Sequence, residues 1–305
     1  MKSIQVAAFV FAIDKNFVLP LKVLLSSLVN THSTLNRESI FLLHDRTLGA
    51  DEQNDLITFC ARYSLAITFI DITSRLELLP SLRDGSHVTY LTYARLFLAS
   101  VLPPEIQTAI YIDADTLCIQ NVSDLFEFSL HRPIAACDHC SPFDQLRVHG
   151  PCGGSYFQAG MVRVDIALWR NLDIEHEFNA ILVESSNRIL WWDQDVLNIA
   201  FKDNWQRIPV SYNFCRVVRN SLVNPQHSVS ISPKIIHFDG GDRPWDISRT
   251  DSYGLLWYAA YYDSFQEYHP LDPSFDKRVQ PPSFKSSTVS ILRSLKSKLI
   301  QRKLD

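Results

Sequence analysis

Two aspartates one residue apart, Asp113 and Asp115, close an apolar stretch running from Ala109 to Ile112. Strand side chains alternate, so positions i and i+2 share a face and both carboxylates can converge on one point. Two hard oxygen donors so placed suit a Mn²⁺ or Mg²⁺ ion that also grips substrate phosphates. A turn that is merely acidic is the other reading of a lone D-x-D, and only the rest of the chain separates the two.

Four further segments set unusual polar groups beside apolar ones. Thr92-Tyr93-Ala94-Arg95-Leu96 puts a cation on a helix just upstream of the D-x-D strand. Tyr156-Phe157-Gln158-Ala159-Gly160-Met161 is a strand interrupted by an amide and a glycine. Trp192-Asp193-Gln194-Asp195-Val196-Leu197-Asn198 begins a helix with two acids around a glutamine. Ile236-His237-Phe238-Asp239-Gly240-Gly241-Asp242-Arg243-Pro244-Trp245 joins a strand-end histidine to a glycine loop, a cation and an aromatic ring. Singly, each has a plain structural explanation. Asp193 can serve as a helix N-cap, His237 can be a satisfied structural group, and Arg95 can pair with a surface acid.

The elements that must position these residues alternate along the first half of the chain. Val6–Ile13 is a near-continuous apolar run, as expected of a strand buried on both faces. Val18–Val29 reads as a helix, Ile40–His44 as a strand, Asp51–Tyr63 as a helix and Ala66–Ile70 as a strand. A helix over Thr92–Ser100 leads into the strand that ends at Asp113. This alternation predicts an α/β fold with a mostly parallel sheet and helices on both faces. Ligands of such sheets bind beyond the carboxyl ends of the strands, where Asp14 and Asp113 both fall. Later, Pro133–Asp138, Tyr156–Val164 and Lys234–Phe238 read as strands and Ile174–Ser186 as a helix.

Taken together and in this order, the segments resemble the family-eight retaining glycosyltransferases. That group contains bacterial lipopolysaccharide galactosyl- and glucosyltransferases and glycogenin. The resemblance runs from about Ile4 to Trp245 and implies a GT-A fold for residues 1–280. It implies metal ligation by Asp113, Asp115 and His237, with Mn²⁺ (or Mg²⁺) on the diphosphate of a UDP-sugar donor. Contacts to UDP and the donor are implied for Ala12, Asp14, Asn16, Phe17, Arg95, Ala114, Gln158, Gly240 and Arg243. Phe17 stands where relatives often carry tyrosine, Gln158 where they carry asparagine, and Arg243 where many carry lysine. Arginine keeps the charge there but changes its geometry. Asp193 and Gln194 match the acid–amide pair beside the reacting sugar. A short amide is a poor nucleophile, so the resemblance favours front-face attack with retention, while a covalent intermediate on Asp193 stays open.

The implied reaction moves galactose or glucose from UDP to a hydroxyl of a glycan or lipid-linked saccharide, such as a lipopolysaccharide core. Two other readings compete with it. A phosphohydrolase with Asp113 as nucleophile needs a lysine and further acids in set places, and leaves Asp193–Asn198 and His237–Trp245 without a use. The intact metal triad counts against a catalytically silent nucleotide-sugar-binding protein, because losing a metal ligand is the simplest way to silence such a site.

Composition is that of a soluble enzyme, with 46% hydrophobic and 20% charged residues and a formal charge of −4. The charge argues against nucleic acid as a partner, but it is unevenly spread. Beyond the Pro281-Pro282 linker, Lys285, Arg293, Lys296, Lys298, Arg302 and Lys303 face one acid, Asp305. The first 284 residues carry 23 basic and 32 acidic side chains, a net −9. Val289, Leu292, Leu295 and Leu299 fall on one helical face, so residues 281–305 read as a linker and a basic amphipathic tail for an anionic membrane surface. The longest apolar run, Val6 to Ile13, is far shorter than a membrane span. Six dispersed cysteines read as reduced thiols; Cys137-x-x-Cys140 with His149 and Cys152 could hold a structural zinc, but the irregular second pair favours reduced cysteines near an acceptor loop. These features predict a cytoplasmic protein held peripherally at the inner face of a membrane.

Overall fold

The computed structural model describes residues 7–32, 35, 39–80, 89–139, 142–150, 154–216, 231–241, 243–248, 251–267 and 269–271. The basic tail 281–305 lies outside the described residues, as do Cys140 and Cys152 of the possible zinc quartet. Nine strands fall among those described: β1 (Ala7–Ile13), β2 (Ser39–His44), β3 (Ile67–Asp71), β4 (Thr108–Ile112), β5 (Thr116–Cys118), β6 (Ile134–Asp138), β7 (Phe157–Asp165), β8 (Gln206–Ile208) and β9 (Ile235–His237).

Seven strands form one sheet in the order β3-β2-β1-β4-β7-β6-β8. β1 pairs in parallel with β2 and β4, β2 with β3, and β6 with β8, while β7 runs antiparallel to both β4 and β6. The apolar run of β1 divides by alternation. Phe9, Phe11 and Ile13 pack with Leu21, Leu24 and Leu28 of helix Val18–Thr31 and with Leu56 and Phe59 of helix Ala50–Ala61. Ala8 and Val10 face the opposite core, with Tyr93, Trp169, Phe178 and Val196. Both faces of the sheet are therefore covered, as continuous apolar strands require.

Two features differ from the sequence expectation. The segment expected as helix Thr92–Ser100 is a 3₁₀ helix from Tyr90 to Phe97 followed by one α-turn, Leu98–Val101. Six of its first eight residues are buried, so packing rather than helix propensity decides its winding. The D-x-D is also not part of a strand. β4 ends at Ile112, and residues 113–115 form the turn into β5, closed by Thr116 Oγ1 donating to Asp113 O at 2.9 Å.

That turn matters because β5 does not join the main sheet. It forms a two-stranded antiparallel ribbon with β9, pairing Thr116 with His237. Phe238 N–H donates to Asp115 O at 2.8 Å and extends the ribbon. Helix Ser252–Phe265 packs behind it through Leu256, Trp257 and Tyr261, against Leu117, Ile236 and Phe238. The β6–β7 ladder shifts register from Ala136–Val162 to Cys137–Gln158, so residues 159–161 of β7 bulge out opposite the ribbon.

Candidate active site

β1 and β4 lie side by side in parallel, so the residues that follow them, Asp14 and Asp113, open on one cleft. Its walls include Ala12, Asp14, Phe17, Thr92, Arg95, Tyr111, Asp113, Ala114, Asp115 and Arg243. Asp14 is buried and accepts a hydrogen bond from Asn16 N–H at 2.8 Å, capping the turn Lys15–Phe17. Burial pushes its carboxyl up, against the hydrogen bonds that hold it down. Asn16 itself is exposed beside this turn. The Arg243 guanidinium sits 4.9 Å from the centre of the Phe17 ring, a cation–π contact, and Trp245 packs edge-on to that ring at 6.2 Å.

The ribbon brings His237 to the acidic turn. His237 Nε2 lies 3.0 Å from Asp115 Oδ1 and 3.9 Å from Asp113 Oδ2, and one ligand atom from each of the three falls within 4.8 Å of the others. His237 Nδ1 meets Asn213 Oδ1 at 2.9 Å, which fixes the ring and turns Nε2 toward the carboxylates. Burial alone would lower the His237 pKa, but Asp115, Asp239 and Asp113 outweigh it and hold the imidazole at about 9. Burial works against ionised Asp115, yet His237 and Arg243 keep it below the usual carboxylate range. Burial pushes Asp113 up, opposed by Arg95. A cation in this space would meet two carboxylates and an imidazole whose orientation is already set, a donor set suited to Mn²⁺ or Mg²⁺.

Gly160, on the β7 bulge, makes the approach possible. A Cβ on it would lie 2.2 Å from His237 Cε1 and 2.9 Å from Asp113 Oδ2. Its carbonyl accepts from Asp113 N–H at 2.8 Å, so the bulge holds the acidic turn from the other side. The strand's amide–glycine interruption was visible in the sequence, but nothing local showed that its partner would be His237. Asn213, fully buried behind His237, carried no motif at all.

Arg95 is buried and reaches two acids from separate elements. Its Nη2 pairs with Asp113 Oδ1 at 2.7 Å and its Nε with Asp193 Oδ2 at 2.8 Å. Its guanidinium also lies over the Tyr111 ring, 4.4 Å from the centre, and its Nη1 donates to Ala159 O. Asp193 accepts from Thr92 Oγ1 at 2.5 Å. Burial pushes Asp193 up to about 6, against the pull of Arg95 and Thr92. The N-cap role open to Asp193 is not what the structure shows. Helix Trp192–Phe201 starts at Trp191 without a side-chain cap, and Asp195 instead accepts from Leu190 N–H and Trp191 N–H.

Gln194 lies one residue further along, half-buried. Its Oε1 accepts from Ala159 N–H at 3.0 Å. Gln158 is directed beneath the site rather than into the cleft. Its Oε1 accepts from Asn213 Nδ2 and, at 2.5 Å, from Gly160 N–H. Gly240 takes φ +93°, a left-handed conformation that favours glycine, and a Cβ there would also crowd the Arg216 guanidinium at 3.3 Å. Cys137 is buried with its Sγ donating to Pro209 O, and His149 Nε2 meets Ser155 O at 3.1 Å.

Residues 8–248 match the family model described as glycosyl transferase family 8. The chain belongs to this family. It is 27% identical to the lipopolysaccharide 1,2-glucosyltransferase of Escherichia coli K12 over 77% of this chain and 71% of that one. It is 26% identical to the lipopolysaccharide 1,3-galactosyltransferase of Salmonella typhimurium LT2, over 77% and 72%. Among solved structures, galactosyltransferase LgtC in complex with donor and acceptor sugar analogs superposes with a TM-score of 0.73 at 20% identity. That match covers 84% of this chain and 95% of LgtC. The mixed sheet with its acidic turn is thus a family 8 glycosyltransferase fold of the GT-A type. No helix among the described residues is long and apolar enough to cross a membrane.

Proposed function

We propose that this glycosyltransferase moves galactose or glucose from a UDP-sugar to a hydroxyl of a lipid-linked glycan, such as a lipopolysaccharide core, with retention of the anomeric configuration. The observation that carries this reading is the convergence of Asp113, Asp115 and His237 at the mouth of a cleft lined by Asp14, Phe17 and Arg243. The two lipopolysaccharide hexosyltransferases among its relatives support the hexose donor and the acceptor class.

In this reading Asp14 and Asn16 hold the uracil and ribose, and the Phe17 ring is the face on which the base stacks. Ala12 and Ala114 allow the nucleotide to approach the strand ends closely. Arg243 and the Gly240 loop approach the diphosphate, the first with charge and the second with backbone N–H. Asp113, Asp115 and His237 would hold a divalent cation, Mn²⁺ or less effectively Mg²⁺, which when bound would supply Lewis-acid stabilisation of the departing diphosphate.

Arg95 links the two halves of the site, because one guanidinium touches a metal-side carboxylate and a sugar-side carboxylate at once. Asp193, with Thr92 and Arg95 on its two oxygens, positions the donor sugar, and the Gln158 amide braces the bulge beneath it. The bond between the anomeric carbon and the phosphate oxygen breaks as the acceptor oxygen bonds to the same face of that carbon. The acceptor proton passes to the departing phosphate oxygen. Gln194 presents an amide carbonyl to the positive charge that develops at the anomeric centre. Incubating the protein with Mn²⁺, a panel of UDP-hexoses and a lipid-linked oligosaccharide tests the reading. UDP released only when both donor and acceptor are present supports it, and no release from any UDP-hexose contradicts it.

A further inference from the structure

Gln194 would be useful beside a developing positive charge only with its oxygen, not its amino group, on that side. An amide side chain is nearly symmetric in shape, so something must decide which end points where. The groups around Gln194 make that decision by elimination. On one side lies the backbone N–H of Ala159, which can only donate, and it meets Oε1 at 3.0 Å. On the other lies the Tyr156 hydroxyl, 3.0 Å from Nε2. A hydroxyl can donate or accept, so by itself it decides nothing.

On that side Asp195, wholly buried behind Tyr156, settles the direction. The Tyr156 hydroxyl lies 2.6 Å from Asp195 Oδ1. The same carboxylate takes a two-pronged contact from Arg147, Nη1 to Oδ2 at 2.7 Å and Nη2 to Oδ1 at 2.8 Å. Leu190 N–H and Trp191 N–H donate to Oδ2 at 2.7 and 2.8 Å. A carboxylate met by donors on every side acts as an acceptor toward Tyr156 as well, so the phenol proton goes to Asp195. The hydroxyl is then left to accept, and Gln194 must offer it the amino end.

We propose that Asp195, acting through Tyr156, is the positioning group that joins the Ala159 N–H in fixing the polarity of the Gln194 amide, whose carbonyl oxygen the proposed function sets toward the reacting sugar. The inference rests on the reading of Gln194 as the residue beside the donor sugar. Burial and the Asp195 charge both push the Tyr156 hydroxyl well above the usual phenol range, so it keeps the proton it gives to Asp195. The same carboxylate also secures the turn that delivers Gln194. Trp192 adopts φ +40°, a conformation costly for a bulky residue, directly after the two backbone N–H groups that Asp195 holds. Asn198 completes the clamp, exchanging hydrogen bonds with the Phe157 N–H and carbonyl and donating to Gln194 O, all at 2.8 Å. Asp195 and Tyr156 are positioning residues, because neither needs to touch the sugar.

Tyr156→Phe removes the hydroxyl and keeps the buried ring, so the fold is retained. With the phenol gone, the Gln194 amino end loses its partner and only the Ala159 N–H still holds the amide in its orientation. The expected result is a fall in kcat of about tenfold, with UDP-hexose KM and UDP affinity within about twofold of wild type. The second measurement needs no turnover. The ¹⁵N-labelled side-chain amide pair of Gln194, assigned by its loss in Gln194→Ala, should move toward the position of free glutamine amides in Tyr156→Phe. An unchanged kcat, or a Gln194 amide pair that stays where it is, overturns the proposal. A wild-type protein idle on every UDP-hexose would sink the functional reading instead, while the amide resonance would still decide the relay.

Discussion

Gly160 and His237 occupy what would otherwise be the same space: a side-chain carbon on Gly160 would sit 2.2 Å from His237 Cε1. The glycine is therefore part of the candidate metal site without offering it a ligand atom. Gly160→Ala should push the imidazole away from Asp113 and Asp115 and weaken Mn²⁺ binding by roughly 10- to 100-fold, the range seen when a group that orients a ligand is lost. Calorimetric titration with Mn²⁺ checks this, alongside circular dichroism to show that the fold persists. An alanine variant that binds Mn²⁺ as tightly as wild type would mean that the histidine does not need this space.

Asp113 and Asp115 should be unequal to their amides. Asp113→Asn and Asp115→Asn each replace a charged ligand by a neutral one, and should lower transfer by about 100-fold or more. Removal of divalent cations with excess EDTA should do the same to the wild-type protein, and Mn²⁺ should restore it better than Mg²⁺. Rates that are indifferent to EDTA would show that the triad does no metal chemistry.

The raised pKa of His237 sets a pH dependence of stability whose sign is definite. The folded, metal-free protein holds the imidazole at about 9, above its ordinary value near 6.5, so the charged form stabilises the fold. That contribution is fully present below about pH 6.5 and is lost as pH rises through about 9. The melting temperature of metal-free protein should therefore fall across this interval, and His237→Gln should remove most of the fall. Added Mn²⁺ should act in the opposite sense, because a ligating imidazole must be neutral, so the metal's stabilising effect should grow with pH. Differential scanning calorimetry at pH 6.5 and pH 9, with and without Mn²⁺, reads both effects.

The basic tail offers a test independent of the site. Six basic residues near an anionic leaflet would contribute about 1 kcal/mol each, which predicts that the tail brings the acidic remainder of the chain to such a surface. Truncation after Pro282 should release the protein from anionic vesicles in a sedimentation assay and leave transfer to a soluble acceptor largely intact. Equal sedimentation of the truncated and full chains would show that the tail is not the anchor.

Much of the fold was legible because buried parallel strands leave continuous apolar runs. Val6–Ile13, Ile40–His44 and Ala109–Ile112 correspond to β1, β2 and β4 within a residue or so at each end. The three-residue strands β5 and β8 were not legible, since so short a run carries no period. The candidate metal triad was named from motif resemblance, but the reason its three residues converge was not the one the spacing suggested. Alternation along a strand does not bring Asp113 and Asp115 together, because both lie in a turn. The β5–β9 ribbon then brings His237 to them from far along the chain. The supports beneath the site, Gly160 against His237, Asn213 on its ring and Asp195 behind Tyr156, are contacts between distant segments that no local pattern encodes.

Retaining transfer from a UDP-hexose is tested most directly by the anomeric configuration of the product. Product formed with Mn²⁺ and an α-configured UDP-hexose should show, by proton NMR, the small coupling of an α-anomeric proton on the newly attached sugar. A large coupling, diagnostic of a β-linked galactose or glucose, would contradict retention and with it the role given to Gln194.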